Sequence, residues 1–277
     1  MKGKEVLVAP GAYDGFSARL IEEAGFKVAY RTGAGAAATM LGQPDIGLMT
    51  MSETVSHAAN IAAAIKIPVI ADADTGYGNA LNVIRTVHEF ERAGVAAIHL
   101  EDQVFPKRCG HLEGKKVIPM EEFVAKIKAA VNERMNKDFV IIARTDARAV
   151  EGVEKAIERC KHYVEAGADM IFFEAPQSLD EIETVAEKLA AQVPLLINMV
   201  GSASKTPAVN VKELEQMGYK VVIFPSACTS PALVKMREAL VYLKEKGTDE
   251  GLVASPLALF RVVGIEDWME LEKKYVA

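Results

Sequence analysis

Residues 91–102 read ERAGVAAIHLED, and this stretch decides the fold. Its first part closes an amphipathic helical pattern at a glycine, the usual residue after a helix C-terminus because it adopts positive φ without strain. Its second part is a continuous apolar run, which is typical of a strand buried on both faces of a parallel sheet. The run ends in two acids, Glu101 and Asp102. The stretch therefore predicts a helix followed by a buried strand that carries polar groups at its carboxyl end.

The same unit recurs along the chain. Eight apolar runs alternate with amphipathic helical patterns, and this count in 277 residues indicates a (β/α)8 TIM barrel. A doubly wound open sheet is the competing architecture, but no GxGxxG follows the first strand. The stretch SPALVKMREALVYLKEKG, residues 230–247, is typical of the eighth barrel helix. We expect residues 1–277 to form a single domain, with residues 255–277 as a C-terminal helical extension.

Composition excludes several classes of function. The net charge is −6 and no basic tract occurs, so we expect no nucleic-acid partner. No stretch approaches the roughly 20 apolar residues of a membrane span, and the N-terminus does not fit a signal peptide. Three cysteines without a CxxC argue against a disulfide framework or a structural zinc site. We therefore expect a cytoplasmic protein that does not associate with membranes.

Polar residues lie at the carboxyl ends of the predicted strands, where barrel enzymes place their active sites. Any one of them is readily explained as a helix N-cap, since Asp and Thr cap helices well. Capping does not explain the whole set, because caps need neither Arg nor Glu. The residues are Asp14, Thr32, Asp72, Asp74, Glu101, Asp102, Arg144, Asp146, Glu174 and Asn198.

The stretch DADTG, residues 72–76, indicates a metal. If it continues the third strand, alternation points Asp72 and Asp74 to the same side. Together with Glu101 from the next strand they would form a site of hard oxygen ligands. Such a site suits Mg²⁺ or Mn²⁺. A DxD pattern alone is common, so the prediction depends on its position and on the neighbouring glutamate.

A long loop, VFPKRCGHLEGKKVIP at residues 104–119, follows the fourth strand. Long loops at a catalytic face often close over substrate as lids. Cys109 lies in this loop among several cationic side chains, and cations lower the pKa of a cysteine. We therefore favour a functional thiol at this position over an ordinary surface cysteine. Cys160 and Cys228 are better explained as small core residues.

Other motifs remain open. The glycine-rich stretch GAGAAA, residues 33–38, either lets backbone NH groups approach an anion or forms a tight turn against the sheet. His57, His88 and His162 fall in helical patterns without ligand spacing, so we expect surface or packing roles for them.

Four motifs in this order, DADTGYG, LEDQVFPKRCGH, ARTDA and FFEAP, resemble the isocitrate lyase / phosphoenolpyruvate mutase superfamily. The similarity runs from about the first strand to the end of the chain. The KRCGH loop is the most specific part and resembles the lyase branch, which cleaves a carbon–carbon bond in 2-hydroxy dicarboxylates or tricarboxylates. The phosphonomutase branch carries an asparagine-bearing loop instead, so the sequence disfavours that chemistry.

The resemblance implies a metal ion and a proton donor. Asp72 and Asp74 would hold Mg²⁺ directly or through water, with Asp45 and Glu101 behind them, and Mn²⁺ is an alternative ion. Cys109 would act as the general acid.

The resemblance also implies a substrate pocket. The family usually has Ser at the position of Thr32, which keeps the hydroxyl. Arg144 would pair with a substrate carboxylate and, with Glu174, would complete the catalytic set. The residues implied to contact substrate are Tyr30, Thr32, Gly33, Ala34, Gly110, His111, Arg144, Glu174 and Asn198.

Several substrates fit this resemblance. Members that cleave tricarboxylates hold the third carboxylate with arginines after the eighth strand and before the last helix, and the first of these stretches has none before Arg237. The segment after Asn198 also lacks the Thr-Glu that those enzymes tend to carry. We therefore expect a 2-alkylmalate such as 2,3-dimethylmalate, cleaved to pyruvate and propionate. 2-Methylisocitrate is the first alternative, oxaloacetate the next, and a barrel that binds a dicarboxylate without turnover is the alternative of another class.

The resemblance implies a homotetramer that exchanges its C-terminal helices. Residues 255–277 fit this arrangement because their apolar side chains must be buried somewhere. These are Leu257, Leu259, Phe260, Val262, Val263 and Trp268.

Overall fold

Eight parallel strands close into a barrel in the computed structural model, which describes residues 5–201 and 205–276. The strands follow sequence order around the barrel, and the last pairs with the first, with Leu7 opposite Val221. The predicted TIM barrel is confirmed. The strands are β1 (Leu7–Ala12), β2 (Ala29–Arg31), β3 (Val69–Asp72), β4 (Ala97–Glu101), β5 (Val140–Thr145), β6 (Met170–Phe173), β7 (Leu195–Asn198) and β8 (Val221–Phe224).

Helices follow the strands along the chain. A π-helical turn at Ala37–Leu41 continues the second helix. The helices are α1 (Gly15–Glu23), α2 (Gly33–Ala36), α3 (Met51–Ala64), α4 (Ala80–Arg92), α5 (Met120–Glu133), α6 (Arg148–Glu151), α7 (Val153–Glu165), α8 (Leu179–Leu189), α9 (Val211–Met217), α10 (Thr229–Lys246), α11 (Pro256–Val262) and α12 (Ile265–Tyr275).

Two of the polar residues at strand ends are helix caps. Asp14 begins α1, and its Oδ1 accepts a hydrogen bond from Ser17 N at 2.7 Å. Thr32 begins α2, and its Oγ1 accepts from Gly35 N at 3.2 Å. Such bonds satisfy backbone donors that the first helical turn leaves unpaired. Capping therefore accounts for Asp14, whereas Thr32 also faces the site described below.

The core has two layers, as expected for a closed barrel whose strand side chains alternate in direction. Ile142 and Phe172 belong to the cluster that fills the barrel interior. Ile141 and Ile171, their neighbours in sequence, pack beneath the surrounding helices. All four are fully buried. The filled interior leaves the carboxyl ends of the strands as the floor on which a site can be built.

The C-terminal helices depart from the prediction. Residues 230–247 do not pack as the eighth barrel helix, because α10 contains no buried residue. Its Met236 is 58% exposed and its Leu240 is 65% exposed. α11 contacts α1, and α10 meets the barrel at its first residue, Thr229. None of the helices in the described ranges is both long enough and apolar enough to cross a bilayer.

Candidate active site

One cavity of about 200 Å³ lies at the carboxyl end of the barrel. Of the residues that the family resemblance assigned to the site, all except Asp74 and Glu101 line it. Contributions come from β2, β3, β5 and β7 and from the loops that follow the strands. The predicted residues in its wall are Tyr30, Thr32, Gly33, Ala34, Asp45, Asp72, Cys109, Gly110, His111, Arg144, Glu174 and Asn198.

The long loop of residues 104–119 covers one side of this cavity. Its base is fastened by an antiparallel bridge between Gln103 and Val117. Its tip is tied to the loop after α2, because Cys109 N donates to the backbone oxygen of Asp45 at 3.1 Å. The loop therefore closes over the strand ends and presents the KRCGH motif to the cavity.

The tip of the loop packs tightly against Glu174. A Cβ placed on Gly110 would lie 2.3 Å from Glu174 Oε1. His111 Nε2 lies 3.3 Å from the same oxygen, and Asn198 Nδ2 donates to it at 3.4 Å. Glu174 itself is only 1% exposed. Glycine is thus required at position 110 because any side chain would occupy the space of a buried carboxylate.

The surroundings of Cys109 favour the thiol over the thiolate. Burial raises the pKa of this thiol above its ordinary value. The prediction that neighbouring cations lower it is wrong, because these cations have other partners. Lys107 Nζ contacts Asp45, Arg108 donates to loop backbone, and Lys115 Nζ donates to the carbonyl of Gly110. A thiol that keeps its proton at neutral pH suits a proton donor rather than a nucleophile.

The other two cysteines lie away from the cavity wall. Cys160 is fully buried on α7, which confirms its core role. Cys228 is half-buried before α10 and packs against the edge of the core. All three thiols are free.

Lys107 belongs to the site, but the sequence did not predict that its side chain points toward Asp45 and Asp74. Its side chain is 2% exposed, and its Nζ lies 2.6 Å from Asp45 Oδ1 and 2.9 Å from Asp74 Oδ1. Burial alone would lower its pKa, but the surrounding carboxylates outweigh burial and raise the pKa well above its ordinary value. The ammonium therefore balances the charge of Asp45, in the loop after α2, and of Asp74, in the turn after β3.

The DADTG stretch does not continue as a strand. β3 ends at Asp72, and Asp74 has a φ of 48° in the turn after it. The expectation that strand alternation aligns the two carboxylates is therefore wrong. The turn instead folds back on Asp72, since the backbone N of Asp74 donates to Asp72 Oδ1 at 3.0 Å. Tyr77 OH donates to Asp74 Oδ2 at 3.1 Å, and Lys107 Nζ lies 2.9 Å from Asp74 Oδ1, so this carboxylate has a partner on each oxygen.

Arg144 is the fixed cation of the cavity. Its Nε lies 2.9 Å from Asp146 Oδ2 and 3.2 Å from Glu101 Oε2. Its guanidinium lies 5.0 Å above the centre of the Phe172 ring. Burial works against its charge, but the two acids hold its pKa well above the usual value. Arg144 can therefore bind a carboxylate from the cavity without leaving its partners.

Asp102 supports this arrangement from outside the cavity. Since side chains alternate along β4, Glu101 points inward and Asp102 points toward the helices. The carboxylate of Asp102 accepts hydrogen bonds from Thr145 Oγ1 at 2.7 Å, from Tyr163 OH at 2.8 Å and from Asp146 N at 2.8 Å. The sequence placed Asp102 among the strand-end acids of the expected site. In the structure it is instead a buried residue that supports Asp146 and Thr145 through hydrogen bonds.

His99 is a further residue that sequence reasoning missed. It lies inside the barrel on β4, and its Nε2 is hydrogen-bonded to Tyr30 OH at 2.9 Å. Burial lowers the pKa of His99 to about 4, although Asp72 opposes the shift. A neutral imidazole thus holds the phenol that lines the cavity. A histidine two residues before a strand-end glutamate was the available signal, since that spacing also points inward.

The glycine-rich stretch at residues 33–38 begins a helix rather than forming a tight turn. Gly33 lines the cavity. It packs so closely against Asp72 that a Cβ at this position would lie 2.3 Å from Asp72 Oδ2. His57 is buried on α3 and packs against Arg31, whose Nε donates to His57 Nδ1 at 3.1 Å. The packing role expected for His57 is confirmed.

Comparison with known proteins assigns the family. A profile of the phosphoenolpyruvate phosphomutase family matches residues 1–244. 2,3-Dimethylmalate lyase of Eubacterium barkeri is 46% identical over 275 residues, covering 98% of this chain and 94% of that protein. The chain belongs to the PEP mutase/isocitrate lyase superfamily. A second superfamily member, 2-methylisocitrate lyase of Aeropyrum pernix, is 48% identical over 250 residues, covering 90% and 79% of the two chains.

Solved structures of the PEP mutase/isocitrate lyase superfamily share the whole architecture. That of 2,3-dimethylmalate lyase has a TM-score of 0.95 at 42% identity and covers 99% of this chain and 92% of its own. Oxaloacetate acetylhydrolase bound to the inhibitor 3,3-difluorooxalacetate has a TM-score of 0.94 at 42% identity, with 98% and 93% covered. Phosphonopyruvate hydrolase with oxalate and Mg²⁺ has a TM-score of 0.89 at 30% identity, with 99% and 95% covered.

The acidic side chains of this site are suited to binding a hard cation, because their ligand atoms are carboxylate oxygens. Across residues 5–201 and 205–276, no three His, Cys or acidic side chains are arranged as a metal-binding group. Both carboxylate oxygens of Glu101 are nevertheless buried without a hydrogen-bond partner. Burial would raise the pKa of Asp72, but its basic neighbours outweigh burial and lower the pKa below its ordinary value. Carboxylate oxygens that lack a hydrogen bond, beside the ammonium of Lys107 and with Arg144 as the ion-pair partner of Glu101 Oε2, fit Mg²⁺ or Mn²⁺ better than a softer ion.

Proposed function

We propose that this chain is a carbon–carbon lyase that cleaves a 2-alkylmalate such as 2,3-dimethylmalate into pyruvate and a carboxylic acid. One observation carries the proposal. The protonated thiol of Cys109 lies in the same 200 Å³ cavity as the buried cation Arg144. A proton donor and an anion-stabilising group at one cavity match the two requirements of a retro-aldol cleavage, namely stabilisation and protonation of a carbanion.

In the proposed reaction, Arg144 stabilises the carbanion and Cys109 protonates it. The substrate hydroxyl loses its proton to solvent, which later returns a proton to the Cys109 thiolate. The hydroxyl oxygen becomes the ketone of pyruvate as the C2–C3 bond breaks. The bonding electrons remain on C3, whose adjacent carboxylate delocalises them as an enediolate. The guanidinium of Arg144 stabilises this charge in a buried setting, where it is stronger than in water. The Cys109 thiol then gives its proton to C3, which completes the propionate product.

Glu174 holds the loop in the geometry of this proton transfer. Its carboxylate contacts His111 and Asn198 and fills the space beside Gly110. The hydroxyl and backbone of Thr32, with Gly33 and Ala34, line the wall nearest Asp72 and suit the end of the substrate that becomes pyruvate.

The proposed metal is Mg²⁺, with Mn²⁺ as the alternative. Asp72 and Asp74 would hold it, with Asp45 and Glu101 behind them. When bound, it supplies a Lewis acid for the oxygens of the substrate's hydroxyl end. Lys107, which lies between Asp45 and Asp74, sets the charge balance of this acid cluster.

The far end of the cavity favours two carboxylates over three. Within the described residues, Arg144 is the only Arg or Lys in the cavity wall. Arg261, near the position where an additional arginine was sought, donates to Glu266 at an exposed surface. A third carboxylate would have no cation to meet, whereas an alkyl group suits the remaining lining. That lining consists of Gly35, Ala38, Val200, Pro225, Ser226 and Thr229.

2-Methylisocitrate cleavage to pyruvate and succinate is the second candidate. The observation in its favour is the 48% identity to the 2-methylisocitrate lyase of Aeropyrum pernix. Oxaloacetate hydrolysis follows from the likeness to oxaloacetate acetylhydrolase. A barrel that only binds a dicarboxylate would not need a protonated thiol in its wall, so it ranks last.

The proposed assembly is a homotetramer of single-domain chains in which residues 255–277 reach a second copy. The exposed apolar side chains of α10 to α12 support it, since a patch of this kind is unstable in water. Trp268 is 67% exposed and Tyr275 is 71% exposed. The cytoplasm is the proposed compartment because three free thiols persist there.

Pyruvate release tests the proposed function. The assay couples pyruvate to NADH oxidation by lactate dehydrogenase, with 2,3-dimethylmalate, 2-methylisocitrate, isocitrate and oxaloacetate as substrates. Glyoxylate from isocitrate and acetate from oxaloacetate are measured separately, because neither isocitrate cleavage nor oxaloacetate hydrolysis releases pyruvate. We expect 2,3-dimethylmalate to give the highest kcat/KM, with activity lost in EDTA and in Cys109→Ser. A higher kcat/KM for 2-methylisocitrate would establish the second candidate, and binding of dicarboxylates without any turnover would refute the lyase.

A further inference from the structure

Lys115 lies in the loop of residues 104–119, but its side chain points into the protein. Only 2% of that side chain is exposed. Its Nζ donates to the carbonyl oxygen of Gly110 at 2.5 Å and to Asp146 Oδ1 at 2.8 Å. The ammonium therefore joins the tip of the loop to the residue that follows β5.

Asp146 connects this ammonium to Arg144. Its Oδ2 accepts from Arg144 Nε at 2.9 Å, while its Oδ1 accepts from Lys115. Burial would raise the pKa of Asp146, but Arg144 and Lys115 outweigh burial and lower it to about 2. The backbone of Asp146 is held from behind, because its N donates to Asp102 Oδ1. Lys115, Asp146 and Arg144 thus form a buried chain of alternating charges on a rigid base.

Both ends of this chain reach the cavity. At one end, Arg144 presents its guanidinium to the ligand space. At the other, Gly110 is fixed on two sides, since its carbonyl accepts from Lys115 and its Cα faces Glu174. Gly110 is bonded directly to Cys109, so the position of its peptide sets the position of the thiol.

We infer that Lys115 is a positioning residue that couples closure of the loop to the orientation of Arg144. A closed loop places the ammonium on Asp146 and leaves Arg144 aimed at the cavity. An open loop removes Lys115 from Asp146, whose charge is then balanced by Arg144 alone. A carboxylate bound to Arg144 and a closed loop therefore stabilise each other, because coupling between two equilibria is reciprocal. The identity of the carboxylate rests on the proposed function, whereas the coupling does not.

Loop cleavage by trypsin measures the coupling without turnover. Arg108 is exposed in the loop and serves as the cleavage site, which mass spectrometry identifies. The probe is oxalate with Mg²⁺. We expect it to slow cleavage after Arg108 by about 10-fold in the wild type. Lys116→Met is the matched control, because Lys116 is the exposed neighbour of Lys115, and it should keep this protection. Lys115→Met should lose it, and equal protection in Lys115→Met would overturn the inference.

Kinetics provide the second readout. Since a misplacement of about 1 Å can cost roughly 10²-fold, kcat for 2,3-dimethylmalate should fall by about that factor in Lys115→Met. Lys115→Arg should recover part of the loss. If the two residues act as one unit, Lys115→Met should cost little more in an Asp146→Asn background than Asp146→Asn costs alone. Losses that multiply would show that Lys115 acts independently of Asp146 and would contradict the inference.

The double variant also protects the test against misfolding. Lys115→Met leaves a buried carboxylate without its partner, whereas Lys115→Met with Asp146→Asn removes both charges. If the single variant does not fold, tryptic protection is compared between the double variant and the wild type, and protection equal to wild type would again overturn the inference. A wild type that shows oxalate protection but releases no pyruvate would refute the proposed function and leave the coupling intact.

Discussion

Replacing Gly110 with alanine should disable the enzyme without unfolding it. A Cβ at this position would lie 2.3 Å from Glu174 Oε1 and 2.6 Å from Glu174 Cδ. Ordinary contacts of a Cβ begin at 3.4 Å, so the methyl group would be about 1 Å too close. Glu174 is 1% exposed, and its withdrawal would break its contacts with His111 and Asn198, so we expect the loop rather than Glu174 to shift. The tip of the loop must therefore move outward by about 1 Å.

Such a displacement carries Cys109 away from the substrate. Since a misplacement of about 1 Å can cost roughly 10²-fold in rate, we expect kcat/KM for 2,3-dimethylmalate to fall by about that factor in Gly110→Ala. The matched control is Gly15→Ala, whose Cβ would meet Ala64 Cβ at an ordinary 3.4 Å outside the site. Pyruvate release measures the rate, and thermal unfolding measures stability. A Gly110→Ala enzyme with the activity of the control would show that the loop does not pack against Glu174 in the reacting complex.

Three further predictions concern the charges of the site and its support. Arg144→Lys should lower kcat/KM by about 10²-fold and weaken oxalate binding in calorimetry, because an ammonium cannot reproduce the planar fork that faces the cavity. Cys109→Ser should lower kcat by about 10²- to 10⁴-fold while oxalate affinity stays unchanged, since only the proton donor is lost. Burial together with Arg31 lowers the pKa of His57 in the folded state, so the unfolded chain binds the proton first as pH falls below about 6.5. The free energy of unfolding in urea with EDTA should therefore drop between pH 7.5 and pH 5.5 in the wild type, and it should drop less in His57→Gln.

The fold and the floor of the site were predictable because they follow from periodicity. Buried parallel strands read as continuous apolar runs, and their carboxyl ends must meet at one edge of the barrel. That rule alone brings Asp72, Arg144, Glu174 and Asn198 together. It does not describe what lies beyond a strand end, and Asp74 is the example, since its positive φ places it in a turn.

The directions of side chains in the long loop were not predictable. Residues 107 to 116 contain four Lys or Arg side chains and His111, and composition suggested that all of them act on Cys109. The fold instead turns Lys107 to the acids after β3 and Lys115 to Asp146. Burial then dominates the pKa of the thiol. The ion-pair partner of a Lys or Arg in a loop is often distant in sequence. Local residue spacing therefore does not predict it.

The packing position of α10 could not be predicted from the sequence either. An amphipathic stretch after the eighth strand is normally the eighth barrel helix, and nothing in residues 230–247 departs from that pattern. The apolar side chains of α10 would pack equally well on its own barrel or on another surface. Their exposure here, with Leu240 at 65%, distinguishes the two choices and only tertiary structure could reveal it.

Product analysis in D₂O tests the central claim most directly. The enzyme is supplied with 2,3-dimethylmalate and Mg²⁺, and NMR follows both products. Cleavage of the C2–C3 bond with proton donation by Cys109 predicts equal amounts of pyruvate and propionate, and one deuterium of a single configuration at C2 of propionate. Propionate with deuterium in both configurations would show that solvent, rather than a fixed thiol, protonates the carbanion. A reaction that releases no pyruvate would contradict the lyase itself.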